Sequence, residues 1–472
     1  MKNRFYEYFE EFASSYSKYR KRFKYYWKDI VDYNNFYISN DQTVLEIGCG
    51  TGETLNKLNG KKKVGIDYAP SMIVAAKEKF PELEFHHMRA EDLDLNEKFD
   101  VVVLPNVVGY FDNVSDVFNT LHKVCKDDTR IIISYYNYLW EPALRLGEIL
   151  RLKKKAPRQN WLSLHDLKNL LYHSGFEEFR STNRILIPFN IPIVSYLVNK
   201  FIAKLPLINH LCLNNYINAR KVKNVESEEE LNKYSTTVLI PARNESGNIE
   251  NAILRLPKFG RHIEILFVEG NSTDDTWEKI QEIQEKYKDS HDIKIMQQDG
   301  KGKGDAVRKG YAVATGDILM ILDADLTVRP EDLPKFYFAI SSGKGEFING
   351  SRLVYPMEKG AMRFLNTLGN KAFSMVFSWL LEQPVKDTLC GTKVMFRTDY
   401  IKLSNNRSYF GDFDPFGDYD LLFGAYKLNL KIIDLPIRYQ ERIYGDTNIS
   451  RFRHGLLLLK MCLFASRKIK FW

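Results

Sequence analysis

The sequence predicts two α/β domains in tandem, and three observations lead there. Strand-like and helix-like segments alternate from Thr43 to Ile133, and the alternation restarts at 236. The first strand of the first series runs straight into a glycine-rich turn, "VLEIGCGTG" (44–52). Between the series lies "RKVKNVESEEELNKYS" (220–235), charged and poor in apolar residues, which reads as a linker. The expected boundaries are therefore 1–219, 220–235 and 236–472. Such alternation argues parallel sheets covered by helices.

A chain of 472 residues is too long for one ordinary core. Charged residues make up 27% and hydrophobic residues 44%, the proportions of a folded soluble protein. The net charge of +8 is a mild basic excess, compatible with anionic substrates or an anionic membrane surface. No nucleic-acid module accompanies it. Cys49, Cys125, Cys212, Cys390 and Cys462 are scattered without metal-ligand spacing, as expected of reduced thiols in a cytoplasmic protein. The start, "MKNRFYEYFEEFASSYSKYRKRFKYYW", has no signal-peptide core. No apolar run approaches the roughly 20 residues that span a bilayer. "GLLLLKMCLFA" (455–465) is short and interrupted by Lys460.

The first series reads strand, glycine turn, helix, then "KVGID", a strand ending in Asp67. A helix follows, then "FDVVVLPN", a helix and "RIIISYYN". Gly48, Gly50 and Gly52 let the backbone approach a ligand, and the next helix points free N–H groups at it. An acid at the second strand end can accept hydrogen bonds from both ribose hydroxyls. With Glu46 in the strand, "DYAPSM" (67–72) and "RAEDLDL" (89–95), roughly residues 10 to 180 resemble class I S-adenosylmethionine-dependent methyltransferases with a Rossmann-like fold. The resemblance implies Gly48 and Gly50 at the methionine part of the cofactor, Asp67 on the ribose, and Glu46 among the cofactor-binding residues. It places Ala90 and Glu91 by the adenine, Met72 over the adenine ring, and Asn106 where the cofactor and acceptor sites meet. His86, His87 and Tyr110 are candidate bases if the acceptor is a hydroxyl or a protonated amine. Tyr16, Tyr19 and Arg20 are expected either to form a lid or simply to pack.

Residues 185–217, "ILIPFNIPIVSYLVNKFIAKLPLINHLCLNNYI", are rich in apolar residues and broken by Pro188, Pro192 and Pro206. A packed helical subdomain is the expected outcome. An interfacial membrane element is the alternative.

The second series reads "TTVLIPARNE", "EILFVEGNSTDDT", "IKIMQQD" and "GDILMILDADL", each followed by helical sequence. Alternate residues of an extended segment point the same way, so Asp323 and Asp325 are expected to converge on a divalent cation, Mg²⁺ or Mn²⁺. "KGKGDAVRKGYAVATGD" precedes that pair, and "INGSRL", "DTLCGTKVMFR" and "FGDFDPFGDYDLLFGAYK" follow it. In this order the motifs, covering about residues 235 to 450, resemble inverting family-2 glycosyltransferases of the GT-A fold. The closest likeness is to dolichol-phosphate and polyprenyl-phosphate sugar transferases.

That resemblance implies Pro241, Arg243 and Glu245 around the nucleotide base, with Glu269 on base or ribose. Asp274 and Lys303 belong to the same nucleotide region, and Asp323 and Asp325 hold metal and diphosphate. "VEGNST" replaces the common "VDDGST", and Thr327 stands where relatives often place a metal-binding Gln. Arg352, Arg363, Asn370 and Arg442 resemble groups that bind a lipid phosphate, a task suited to arginine forks. A phosphate acceptor needs no general base. A sugar hydroxyl needs a carboxylate, and among Asp412, Asp414, Asp418 and Asp420 the expectation falls on Asp418, then Asp414.

The two resemblances together imply a bifunctional transferase in surface glycan or glycolipid assembly. Its partners would be S-adenosylmethionine, a nucleotide sugar and a polyprenyl-phosphate or glycan acceptor. The alternative is a glycosyltransferase whose first domain serves as a non-catalytic binding or structural module. The expected location is cytoplasmic, with peripheral contact to the inner face of the membrane. The basic and apolar end, from Arg442 through Arg451, Arg453 and His454 into "GLLLLKMCLFASRKIKFW", would either dock on lipid or bury a helix on the second domain.

Overall fold

The computed structural model describes residues 5–471 apart from 152, 153, 156, 158, 224, 226, 355–363, 410–416, 441, 443 and 445–450. They form two compact units that divide between Val222 and Lys223.

The first unit opens with two helices, α1 (Tyr6–Arg22) and α2 (Lys24–Tyr37). The alternating series follows: β1 (Thr43–Ile47), α3 (Glu53–Lys57), β2 (Lys62–Asp67), α4 (Pro70–Lys79), β3 (Glu84–His87), β4 (Phe99–Pro105) and α5 (Val114–Val124). It closes with β5 (Cys125–Tyr136), α6 (Glu141–Ile149), α7 (Leu164–His173), β6 (Phe176–Arg184), α8 (Val194–Lys200) and β7 (Asn214–Lys221). The sheet order is β3-β2-β1-β4-β5-β7-β6. Neighbours from β3 to β5 are parallel, but β7 lies antiparallel between β5 and β6. An antiparallel strand needs no crossover helix, which is why it falls outside the strand–helix alternation. It also corrects the expected linker. Arg220 and Lys221 are the end of β7, and Arg220 is buried with Nε 2.8 Å from Glu177 Oε1. Both faces of the central strands are covered, so β1, β4 and the second half of β5 are rich in buried Val, Leu and Ile.

The second unit begins with α9 (Glu228–Leu231) and continues through β8 (Ser235–Ala242), α10 (Ile249–Leu254), β9 (His262–Glu269), α11 (Thr276–Tyr287), β10 (Asp292–Gln297) and α12 (Lys303–Val313). Then come β11 (Ile318–Ile321), α13 (Leu333–Ser341), β12 (Phe347–Ser351), α14 (Phe364–Leu381), β13 (Lys393–Phe396) and α15 (Arg397–Asn405). The unit ends with α16 (Asp418–Lys427), β14 (Ile432–Pro436) and α17 (Arg451–Ala465). Its sheet runs β10-β9-β8-β11-β13-β12-β14, with β13 antiparallel to both neighbours. The carboxyl ends of β8, β9 and β11 deliver the loops of the second site. No helix among the described residues is long and apolar enough to cross a membrane.

The 185–217 segment departs from the expected packed subdomain. It contains α8, short 3₁₀ turns and the start of β7, and most of its large apolar side chains before β7 face outward.

Candidate active sites

In the first unit, the glycine turn is pinned to the end of β2. The amides of Gly48 and Cys49 donate to Ile66 O at 2.8 and 3.0 Å. Asp67 Oδ2 accepts from Gly50 N at 2.9 Å, and Oδ1 from Ala69 N at 3.0 Å. Gly50 has φ 53°, and a Cβ there would sit 3.0 Å from Tyr16 Cε1. Helix α1 thus lies over the turn, with Tyr16 against it. Burial lifts the Asp67 pKa to about 6, against the pull of the Ala69 and Gly50 amides. Met72 is buried with Phe12 and Ala69, and Tyr8, Phe9, Tyr16 and Tyr19 pack around them.

Glu46 and Arg20 meet the same turn. Glu46 is 1% exposed and its Oε2 has no hydrogen-bond partner. Burial pushes its pKa up to about 8, with Arg20 pulling it down. Arg20 is also buried; its Nη2 donates to Thr54 Oγ1 at 2.7 Å and its guanidinium lies 3.8 Å from the Trp27 ring centroid. A buried polar atom left unsatisfied calls for an explanation. A carboxyl with a spare oxygen and a buried guanidinium are complementary to the ammonium and carboxylate of an amino-acid moiety. On this observation the residues fit the methionine end of S-adenosylmethionine.

Ala90 begins a 3₁₀ turn and its carbonyl accepts from Thr120 Oγ1 at 2.9 Å. Glu91 Oε1 accepts from Asp112 N at 3.0 Å. Asn106 has φ 55° and donates to the Tyr26 hydroxyl, which donates to Asn214 Oδ1 at 3.0 Å. The Asn106 Oδ1 has no partner. Asn106 lines a small cavity with Tyr135, Tyr136, Gln159, Asn160 and Trp161, and among the described residues no carboxylate or histidine lines it. The three candidate bases are elsewhere. His86 Nε2 is 2.7 Å from Glu84 Oε1, and His87 Nε2 is 3.0 Å from Tyr68 O. Tyr110 packs edge-on to Phe5 and Phe9, and burial raises its pKa well above the usual phenol value.

In the second unit, the D-x-D stretch is not extended. Leu326 has φ 51° and its amide donates to Asp323 O at 3.1 Å, closing a turn. The two carboxylates take different partners. Asp323 Oδ1 lies 2.6 Å from Lys303 Nζ. Burial pushes the Asp323 pKa up, but Lys303, Lys393 and Arg352 outweigh it and hold the carboxyl below its ordinary value. The "DTLCGTK" backbone closes on this pair: a Cβ on Gly391 would be 1.9 Å from Asp323 Oδ2. Only glycine admits that approach. Asp325 Oδ1 accepts from Thr327 N at 3.1 Å and Thr327 Oγ1 at 2.8 Å, so Thr327 orients Asp325. Asp325 Oδ2 accepts from Arg442 Nη2 at 2.5 Å, and Arg442 Nη1 donates to Glu245 Oε1 at 2.9 Å. Burial raises the Glu245 pKa to about 7, with Arg442 opposing.

The expected nucleotide residues stitch their own loops together. Glu269, 1% exposed, accepts from Ser272 N at 2.5 Å and Gln297 Nε2 at 3.2 Å. Asp274 Oδ1 accepts from Thr276 N at 3.1 Å, and Thr276 Oγ1 accepts from Glu245 N at 2.9 Å. Pro241 is half-buried at the end of β8, and Arg243 is exposed. Tyr444 was not anticipated: its ring covers Gly247, and its hydroxyl is 3.0 Å from Ser246 Oγ.

Two of the expected phosphate ligands are turned inward. Arg352 forks onto Asp387 at 2.7 and 2.9 Å, and Asn370 Nδ2 donates to Asp387 Oδ1 at 2.9 Å. Against the upward push of burial, Arg352 and then Asn370 hold the Asp387 carboxyl well below the usual range. Arg363, Asp412 and Asp414 lie outside the described residues, and Asp418 is described only as the first residue of α16. Asp420 is buried and accepts from Arg407 Nε at 2.9 Å, a structural pairing. Among the described residues no group of three or more His, Cys, Asp or Glu side chains could hold a metal ion.

Comparison with known proteins fits both units. Residues 18–179 match the family described as methyltransferase domain, and residues 237–404 match glycosyl transferase family 2. Dolichol-phosphate mannosyltransferase of Pyrococcus furiosus is 29% identical over 250 residues, covering 50% of this chain and 66% of that protein. Glycosyltransferase AglJ of Haloferax volcanii is 27% identical over 220 residues, covering 46% and 67%. The chain thus spans about two thirds of the length of these curated relatives. Among solved structures, a SAM-dependent methyltransferase from Thermotoga maritima has a TM-score of 0.36 at 16% identity, covering 46% of this chain and 99% of that one. The protein is a two-domain fusion, a class I methyltransferase domain followed by a family-2 glycosyltransferase domain.

Proposed function

We propose that this protein is a bifunctional transferase of surface glycan or glycolipid assembly. The second unit transfers a sugar, with inversion, from a nucleotide sugar to a polyprenyl phosphate, and the first unit methylates an acceptor with S-adenosylmethionine. The observation that carries the reading is the pair of neighbouring ion pairs, Lys303–Asp323 and Arg442–Asp325, with Glu245 beyond Arg442. Both cations are on hand for a diphosphate. The acceptor phosphate oxygen forms the bond to the anomeric carbon while the bond to the diphosphate breaks, and its electron pair leaves with the nucleoside diphosphate. That oxygen carries no proton, so the step needs no general base. A glycan hydroxyl would instead need Asp418 or Asp414 to take its proton.

Asp325 fits a Mg²⁺ or Mn²⁺ ion that is otherwise held by diphosphate and water, since such ions often take only one or two protein carboxylates. When bound, the ion would neutralise charge on the departing diphosphate. Thr327 fixes the Asp325 rotamer, and Arg442 must leave Oδ2 as the site fills. Arg442 would then exchange Asp325 for phosphate oxygens. Arg352 and Asn370 support the wall of the site through Asp387.

In the first unit Asp67 holds the ribose, Glu46 the ammonium and Arg20 the carboxylate of the cofactor, with Met72 on the adenine. The sulfonium is already an activated leaving group. The cavity at Asn106 therefore has to align the acceptor and exclude water. Its neutral lining suits an acceptor that arrives without a proton to surrender.

At the end of the second unit, α17 buries Leu458, Met461 and Ala465 and exposes Leu456, Leu459 and Leu463. One face of the helix is packed and one apolar face points outward. The exposed face supports peripheral docking on the lipid that carries the acceptor.

The reading is tested by incubating the full chain with a panel of nucleotide sugars, Mg²⁺ or Mn²⁺ and a polyprenyl phosphate. Release of nucleoside diphosphate with formation of a glycosylated lipid phosphate is expected. Turnover that survives both EDTA and Asp325→Asn would remove the metal role. Absence of cofactor binding by calorimetry would leave the first unit as a binding or structural module.

A further inference from the structure

Between β6 and β7 the first unit carries an excursion, residues 185–213, whose burial pattern is inside out. Its helix α8 turns polar residues inward, while Ile185, Ala203, Cys212 and Leu213 are the apolar positions that are buried. Ser195 is fully buried and its hydroxyl donates to Phe189 O at 2.6 Å. Asn199 is buried, accepts from the amides of Leu186 and Ile187 at 2.7 and 2.9 Å, and donates to Ile187 O at 2.7 Å. Its outward positions are apolar, and Ile193 and Leu207 are the extremes at 74% and 82% exposed. An element built to face water shows the opposite pattern.

The two extremes occupy matching turns. "IPIV" (191–194) and "LPLI" (205–208) each place an apolar residue after a proline, with φ 65° at Ile193 and 70° at Leu207. In each, the next amide closes back onto the proline carbonyl, Val194 N to Pro192 O at 2.7 Å and Ile208 N to Pro206 O at 2.9 Å. This is the γ-turn of rare, strained hand. Positive φ is unfavourable for residues without special cause, most of all the β-branched Ile193. Such strain gathers at functional positions. Here its effect is to hold two bulky apolar side chains in solvent.

The excursion is tied to the acceptor cavity. Asn137 Nδ2 donates to the carbonyls of His210 and Cys212 at 2.9 and 3.0 Å, and Trp140 Nε1 donates to Leu211 O at 2.8 Å. Asn137 directly follows Tyr135 and Tyr136, which line that cavity. Helix α6 then adds exposed Leu146 and Ile149.

Charge decides the occupant. From Phe179 to Val225 the chain has no Asp or Glu, and the basic run "RLKKKAPR" (151–158) follows α6. A second copy would bring this segment no opposite charge, since it holds no acidic residue. Tyr138 and Tyr196, each about half exposed at 50% and 52%, are the amphipathic aromatics that favour a lipid–water boundary. Residues 185–213 are apolar, base-flanked and acid-free, the composition of an element that lies in an anionic bilayer surface; α6 adds Glu141 and Glu148 around Arg145.

We propose that residues 185–213, together with α6, dock the first unit on an anionic lipid surface, with Ile193 and Leu207 entering the interface. The cavity at Asn106 is thereby brought to acceptors carried by the membrane. This docking is independent of α17, which belongs to the other unit.

The test uses the full chain carrying Leu459→Asp and Leu463→Asp, which removes the apolar face of α17. This background should still sediment with phosphatidylglycerol–phosphatidylcholine vesicles at low salt. Adding Ile193→Asp and Leu207→Asp should lower the vesicle partition coefficient at least tenfold. A separate Leu207→Cys variant can be labelled selectively with an environment-sensitive dye, because all five native cysteines are buried. Its emission should rise and shift to the blue on anionic vesicles and not on purely zwitterionic ones. Failure of the background protein to bind, partitioning indifferent to the two Asp substitutions, or an unresponsive dye would each overturn the proposal. So would sedimentation velocity showing a wild-type dimer that those substitutions dissolve, which would make this surface a contact between copies.

Discussion

Arg442 Nη2 lies 2.5 Å from Asp325 Oδ2, although 117 residues separate them in the chain. The guanidinium occupies the carboxylate that a divalent cation would need. Mn²⁺ alone should therefore bind weakly and bind tightly only with a nucleoside diphosphate. Arg442→Ala should strengthen binding of Mn²⁺ alone by about tenfold, roughly the lower end of one charged hydrogen bond, while slowing sugar transfer. Calorimetry showing equal Mn²⁺ affinity in both proteins would remove this competition.

Asp67 should carry much of the cofactor's binding. Asp67→Ala should cost about 1.5–3 kcal/mol of S-adenosylmethionine affinity, the range for hydrogen bonds to a charged group. With its pKa lifted to about 6, wild-type affinity should also weaken as the pH falls through that value and the carboxylate is protonated. The measurement is calorimetric affinity across pH, and an Asp67→Ala protein that binds normally would refute the assignment.

Glu46 makes a pH prediction of opposite practical sense. Its pKa rises from 4.5 to about 8 on folding, so its neutral form is favoured in the native state. The associated stability is fully present below pH 4.5 and is lost as the pH rises through about 8. Melting of the cofactor-free protein followed from pH 5 to 8.5 should therefore show a decline that Glu46→Gln diminishes. An identical slope in the variant would count against the buried neutral carboxyl.

Arg352 and Asp387 should behave as one buried unit. Asp387 is fully buried and Arg352 is the fork that neutralises it. Arg352→Ala should destabilise the second unit by about 3–5 kcal/mol, since it strands a buried charge. Asp387→Asn in the same chain should recover part of that loss. A purely surface phosphate ligand would change stability by only about 0.5 kcal/mol, so denaturant unfolding distinguishes the two roles.

The two faces of α17 predict different outcomes. Leu459→Asp with Leu463→Asp should leave the melting temperature unchanged and reduce sedimentation with anionic liposomes. Met461→Asp, at a position 1% exposed, should destabilise the unit whether or not lipid is present. If the exposed pair has no effect on liposome binding, docking by this helix is wrong.

The sequence by itself determined the two cores and where each strand delivers its loop. Those are local properties: a buried parallel strand is a continuous run of Val, Ile and Leu, and the turn after it needs glycine or a short polar residue. The glycine turn at Gly48 and Gly50 and the strand end at Asp67 were legible for that reason. Tertiary structure decided which groups face one another. Asp325 met Arg442 while Asp323 met Lys303, with a turn closed at Leu326. Asp387 drew Arg352 and Asn370 inward, and β7 took in Arg220 and Lys221, which composition had assigned to the linker. Nor could apolar composition reveal that Ile193 and Leu207 point outward, since hydrophobic periodicity does not record side chains held in solvent by strained turns. Pairing across a hundred residues, and the direction a side chain takes, depend on packing partners that no local pattern contains.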